Sequence, residues 1–117
     1  MNDDLLETIK LAFETASFVP IRRCFFLREG SINFACPIVT LAVYRGVTDK
    51  NDPNLGNDEA ANIALEWASS VFGEEFIWGL LSAWDAEKKV KNEPDFNAGY
   101  DLGLEAAKTL MPHDPPD

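Results

Sequence analysis

Phe72-Gly-Glu-Glu-Phe-Ile-Trp-Gly-Leu-Leu-Ser-Ala-Trp-Asp85 is the densest aromatic stretch of the chain, and its reading decides the fold. Gly73 closes one apolar helix, and a second opens straight after it. On a helical wheel Phe76, Ile77, Leu80, Leu81 and Trp84 share one broad face, the i, i+4, i+8 pattern of a helix pressed into a core. Gly79 and Ala83, four residues apart, leave a shallow groove beside that face. Glu74 and Glu75 stand at the positive end of the helix dipole, and Lys88, Lys89 and Lys91 mark the expected negative end.

Upstream, residues 58–72 read as a helix capped by Asn57, with Ala61, Ala64, Leu65, Ala68, Val71 and Phe72 on one face and Ile63 and Trp67 widening the arc. A single glycine between these two helices predicts an antiparallel helical hairpin. Downstream, Pro94 opens a last helix whose face is Phe96, Tyr100, Gly103, Ala107, Leu110 and Met111, with Gly99 alongside. Each interior glycine costs helix stability about 1 kcal/mol against alanine. Two of them four apart imply a close helix crossing, and Gly79 with Ala83 is the natural complement. The tail 112–117, Pro-His-Asp-Pro-Pro-Asp, cannot continue a helix and is expected to be disordered.

Toward the N-terminus, Asp4-Leu-Leu-Glu7 reads as a capping-box variant that starts a helix with the stripe Leu5, Ile9, Ala12, Phe13 and Ala16. Pro20 ends it. Residues 21–36 read as a short β-hairpin turning at Gly30-Ser31, since Ile32, Phe34 and Cys36 alternate with Asn33 and Ala35. The rival is a helix from Pro20 to Gly30. Symmetric pairing about the turn would set Phe25 opposite Cys36 and leave Cys24 one residue out of register, which neither excludes nor encourages a disulfide. Pro37 to Gly46 reads as a short, almost wholly apolar and therefore central helix, followed by a long polar connection to Asn57.

The fold class is therefore mainly α: one domain over 1–111, a bundle of about five helices with a short hairpin. At 117 residues and 46% hydrophobic composition, a self-sufficient core is expected. Twenty acidic residues against ten basic give a net charge of −10. Phosphate backbones and anionic lipid are repelled by such a surface, so neither nucleic acid nor membrane is an expected partner. The acidic start Met-Asn-Asp-Asp does not resemble a secretory leader, and a cytoplasmic chain with reduced thiols is the expectation.

Chemistry-bearing patterns are few. The acid- and amide-rich run Asp49 to Glu59 invites a calcium loop, but with Gly56 at the sixth position Pro53 and Leu55 fall on ligand positions, which leaves a solvated turn. Two cysteines and one histidine lack zinc spacing, so no metal and no cofactor is expected. Cys36 before a helix start could be a nucleophile, yet the only histidine, His113, lies in the tail, and a small buried hydrophobe is the plainer reading. Asp85, two turns from Trp78 on the same side of its helix, can be desolvated by the indole. Arg22, Arg23 and Arg28 cluster about the hairpin as the sole basic patch, suited to an anionic ligand, another protomer's acids, or carboxylates of the same chain.

The segment Cys36-Pro-Ile-Val-Thr-Leu-Ala42, a helix ending at Phe72-Gly73, and Phe76-Ile-Trp-Gly-Leu-Leu-Ser-Ala-Trp-Asp85 resemble small bacterial domains that carry a Cys-Pro-Leu-Thr-Ala-like segment and an aromatic-glycine helix closing on Asp-Gly. Here Ala86 stands in place of that glycine. The resemblance implies a helical domain and no known catalysis. Three functions are carried forward: a non-catalytic soluble interaction module that takes a second copy of itself (homodimer) or a basic protein as partner, with candidate binding residues Trp78, Asp85, Arg22, Arg23 and Arg28; an acidic inhibitor or immunity-type protein for a basic partner; and a small enzyme using Asp85 or Cys36. The first is preferred, because no catalytic constellation is visible.

Overall fold

The computed structural model describes residues 2–111, so the expected tail and His113 lie outside the described residues. In chain order the elements are α1 (Asn2–Ala16), β1 (Val19–Pro20), β2 (Phe26–Glu29), β3 (Ile32–Ala35), α2 (Pro37–Tyr44), α3 (Asp58–Phe72), α4 (Glu74–Trp84) and α5 (Pro94–Leu110). The mainly α class with a small sheet is what the hydrophobic periodicity predicts.

The hairpin prevails over the rival helix. β2 and β3 pair antiparallel with Glu29 opposite Ile32, so Gly30-Ser31 is a two-residue turn, and Gly30 takes the positive φ of 59° that such a turn needs at its first position. The ladder runs one residue further, with the Cys36 N–H donating to the Phe25 carbonyl (3.0 Å). The sequence pattern did not disclose β1, which adds parallel to β3 through Val19 opposite Phe34 and makes the sheet order β1-β3-β2. Two residues, one of them proline, carry no period-2 signal.

Two helix boundaries follow local chemistry. Asn57 Oδ1 accepts from the Ala60 N–H (2.9 Å) to start α3, and Gly46, at φ 76°, closes α2. At the end of α2 the Val47 N–H reaches the Ala42 carbonyl (2.8 Å) and the Gly46 N–H reaches Val43, the paired bonds of a Schellman stop. Two boundaries differ from the sequence reading. α1 starts at Asn2, so Asp4 lies inside its first turn rather than capping it, and its carbonyl accepts from Thr8 Oγ1 (2.9 Å). α4 stops at Trp84 instead of reaching the lysines. Ala86 turns left-handed (φ 62°), and the Glu87 and Ala86 N–H groups bond to Ser82 and Ala83 (2.8 and 3.1 Å), the same stop built on a residue with a Cβ.

The core is continuous. Pro37 through Ala42 are all buried, which puts α2 at the centre as its composition requires. Trp84 is wholly buried, stacks on Phe13 with ring centroids 6.0 Å apart, and donates its indole N–H to the Ile21 carbonyl (2.7 Å). α3 buries only its alanine stripe, Ala60, Ala61, Ala64 and Ala68; Ile63 and Val71, placed on the apolar arc by the wheel, are about half exposed (47% and 56%).

The dominant helix contact is between α4 and α5, while α3 and α4 meet sparsely on either side of Gly73 (φ 98°). Gly99 lies against the Phe76 backbone, Gly79 against Phe96 and Tyr100, and Gly103 against Leu80 and Ala83. The register advances in the same sense along both helices, so α5 runs alongside α4 in its own direction. Residues 85–93 must therefore return along α4. Lys91 marks the end of that return by bonding Glu75, and Tyr100 Oη ties its start by donating to the Glu87 carbonyl (2.7 Å). The complement of small residues predicted from the glycine spacing is thus the main seam of the fold.

Candidate functional site

The end of α4 and residues 21–25 are knotted together. Arg22 Nε donates to the Trp84 carbonyl (2.8 Å), Trp84 Nε1 donates to the Ile21 carbonyl, and the Arg23 backbone N–H donates to Asp85 Oδ1 (2.7 Å). This brings together three of the residues singled out in the sequence, Asp85, Arg22 and Arg23. Arg23 itself is left-handed (φ 60°), a costly geometry for a side chain with a Cβ, and the carboxylate is what its N–H meets there.

Arg28 is not part of this knot. Its guanidinium lies over the Phe26 ring (5.1 Å) and donates to Asn33 Oδ1 and the Lys50 carbonyl (both 3.0 Å), locking hairpin to loop. Trp78 also stands apart from Asp85. It is 46% exposed, meets Phe96 edge-on (5.5 Å) and carries the Lys91 ammonium 4.6 Å above its ring. The indole is not among the side chains that line the hollow holding Asp85.

Around the knot lies a hollow of about 310 Å³ lined by Arg23, Cys24, Phe25, Cys36, Leu81, Asp85 and Glu87. Burial raises the pKa of Asp85; the Arg23 N–H pulls it back, Glu87 adds to the rise, and the two guanidiniums oppose it. Burial pushes the Cys36 thiol up to about 12, against the N–H groups of Val39 and Ile38 at the start of α2, which favour the thiolate. A thiol in that state offers no nucleophile near neutral pH. Both cysteines are free, and Cys24 Sγ donates to the Phe26 carbonyl (3.4 Å). Among the described residues no group of three or more His, Cys, Asp or Glu side chains is placed to hold a metal ion.

A second hollow has different chemistry. Between α3 and α4 a cleft of about 500 Å³ is lined by Leu65, Glu66, Ser69, Glu74, Ile77, Trp78 and Leu81. Its floor is apolar, its rim carries two carboxylates, and half of an indole is open to solvent. The cleft lies where the two helices face each other on either side of Gly73, with Leu65 and Ser69 of α3 set against Leu81 and Ile77 of α4. The sequence pointed to Trp78 alone. Leu65, Glu66 and Ser69 share a side of α3 by helical spacing, but only the folded chain shows that this side faces Trp78. A larger hollow, about 700 Å³, opens at the ends of α1 and α2 beside Tyr44, Thr48 and Lys50. Its one cation, Lys50, is drawn to the Ala16 carbonyl at the end of α1 (3.4 Å).

No family model matches this chain, and neither a curated protein nor a solved structure matches it. Among the described residues no helix is long and apolar enough to cross a membrane.

Proposed function

We propose that the protein is a non-catalytic binding module whose working surface is the cleft between α3 and α4, and that its partner is a basic amphipathic segment of another protein. One observation carries this reading: an apolar floor of Leu65, Ile77 and Leu81 beside a half-exposed Trp78, rimmed by Glu66 and Glu74. An exposed tryptophan in an apolar depression is the residue type that most often anchors an interface. The acidic rim selects cations on the partner, and the chain's charge of −10 steers a basic partner from a distance. Lys91, resting on the Trp78 ring, already demonstrates the kind of group the indole accepts. If the partner is an enzyme with a basic working surface, occupancy would block it, which is the inhibitor reading in the same geometry. The Asp85 hollow supports an enzyme less well, because its thiol is protonated and its carboxylate serves as a backbone acceptor.

The test is titration of the full chain with a synthetic leucine-lysine amphipathic peptide, read by calorimetry at two salt concentrations. Trp78→Ala keeps the net charge and should weaken binding at least about tenfold. Glu66→Gln with Glu74→Gln should flatten the salt dependence. Equal binding by wild type and Trp78→Ala would reduce the association to nonspecific charge attraction and overturn the cleft.

A further inference from the structure

On the reading that the cleft between α3 and α4 is the binding surface, we infer that Lys91 is the positioning residue of that site: its ammonium holds the Trp78 indole as a fixed wall, so the partner meets a ring already in place. Trp78 stands at a boundary. Glu74, Ile77 and Leu81 share its side of α4 by helical spacing and line the cleft with it, whereas Glu75, one position round, does not and bonds Lys91 instead. Phe96 of α5 meets the indole edge-on at 5.5 Å, and the Lys91 ammonium lies 4.6 Å from the centre of the ring, over its face. Neither Phe96 nor Lys91 is among the side chains that line the cleft, so both hold the indole from outside it. A half-exposed tryptophan without such restraint would have to be ordered on binding, at an entropic cost that here falls on folding.

The lysine is itself held. Its ammonium bonds Glu75 and lies 3.3 Å from Glu93 Oε2, and the hydrogen bond it shares with Glu75 keeps that carboxyl below, and the ammonium above, their ordinary pKa values. Residues 85–93 contain no helix or strand, yet the chain on both sides of Lys91 is pinned. Before it, the Glu87 carbonyl accepts from Tyr100 Oη (2.7 Å) and the Lys89 ammonium lies over the Tyr100 ring (5.8 Å). After it, Asn92 Oδ1 accepts from Asn97 Nδ2 and the Glu93 carbonyl from the Asn97 N–H (both 2.7 Å). The rival role is that of an internal competitor, since Lys88-Lys89-Val90-Lys91 is itself a basic run. Against it, Lys91 approaches the ring from outside the cleft, and Val90, the apolar member of the run, is 65% exposed instead of seated on the apolar floor.

Calorimetric titration of the full chain with the leucine-lysine peptide tests this. Lys91→Met keeps an unbranched apolar stem and loses the ammonium; it should raise the dissociation constant about three- to tenfold, the range expected when one large side chain must be ordered on binding. The direction is diagnostic. The variant is one unit more negative than the wild type at −10, so charge attraction alone would tighten a basic peptide. Lys91→Arg, which keeps the charge and the attraction to a ring face, should stay within about twofold of wild type. In a Trp78→Ala background Lys91→Met should weaken binding no further, because the lysine acts through the indole. Lys91→Gln gives the same reading should Lys91→Met fail to fold. Equal or tighter binding by Lys91→Met, no rescue by Lys91→Arg, or a further loss in the Trp78→Ala background would each overturn the role of the lysine and leave the cleft standing. A wild type that does not bind the peptide removes the cleft, and this inference with it.

Discussion

Replacing Gly99 by alanine sets two opposed effects against each other, and the structure says which wins. In an isolated helix the change is favourable by about 1 kcal/mol, because alanine restricts the unfolded chain and propagates helix better than glycine. In this fold a Cβ on Gly99 would fall 2.8 Å from the Phe76 carbonyl carbon and 3.0 Å from its Cα, and nearer still to the Phe76 carbonyl oxygen. Carbon atoms rest at about 3.5–4.0 Å, so α4 and α5 must separate by roughly an ångström along their main seam. The obstructing atoms are backbone, which cannot rotate away. Overpacking of this kind costs about 1–3 kcal/mol and more where nothing yields. Taking the upper end and crediting the helix gain, the net loss is about 2 kcal/mol, or a fall in Tm of roughly 6–10 °C for a domain of this size. Urea and thermal unfolding of Gly99→Ala measure it. Gly56→Ala is the internal control, since its Cβ would meet Phe26 Cδ2 at an ordinary 3.6 Å; it should stay within about 0.5 kcal/mol of wild type. Gly79→Ala forces the same two helices apart, meeting the Tyr100 nitrogen at 2.9 Å, so the double variant should lose less than the sum of the singles. Gly99→Ala unfolding at or above the wild-type temperature would refute the seam.

Ala86→Gly relieves the left-handed residue that ends α4 and should stabilise by about 0.5–1 kcal/mol, read as a higher urea midpoint at unchanged m. Iodoacetamide on the native protein should modify Cys24 well before Cys36, whose thiol burial holds at about 12; Cys24→Ser should then stay unlabelled until it is unfolded, as mass spectrometry would show. Asp85 titrates above its ordinary 3.8 in the fold, so folding favours its protonated form. That contribution is complete below 3.8 and is lost as pH rises through the folded value. Relative to wild type, Asp85→Asn should therefore gain stability as pH climbs through this window, the amide oxygen still accepting from Arg23. Urea midpoints from pH 3 to 7 check the sign, and a difference that does not move with pH denies the shift.

Hydrophobic spacing made most of the fold legible, and the reasons are visible residue by residue. Phe76, Ile77, Leu80 and Trp84 needed only a helical wheel, and Gly79, Ala83, Gly99 and Gly103 needed only the fact that a missing Cβ permits close approach. Gly30-Ser31 announced its turn through backbone permissiveness alone. What stayed hidden was direction. One glycine at 73, at φ 98°, marks where α3 gives way to α4, but the sequence does not say which faces of the two helices meet. The position of α5 likewise depended on residues 85–93, whose sequence does not say that they run back along α4. The site residues divided on the same line. Asp85 met Arg22 and Arg23 because three hydrogen bonds cross some sixty positions of chain. Arg28, their neighbour in sequence, was drawn to Asn33 and the Lys50 carbonyl instead.

The burial of Asp85 follows from that architecture without any appeal to catalysis. Residues 21–25 must leave β1 and enter β2 over the end of α4, and the path places Arg23 in a conformation that costs about 1–3 kcal/mol for a residue with a Cβ. An N–H exposed by such a turn needs an acceptor, and it meets the terminus of α4, whose last carbonyl already takes Arg22. A carboxylate one residue further on supplies the acceptor and is partly desolvated by doing so. Its raised pKa is therefore the consequence of anchoring the segment that carries Arg23 and Phe25. The residue that looked most like an acid catalyst in the sequence thus acts here as the backbone acceptor that holds the segment leading into β2.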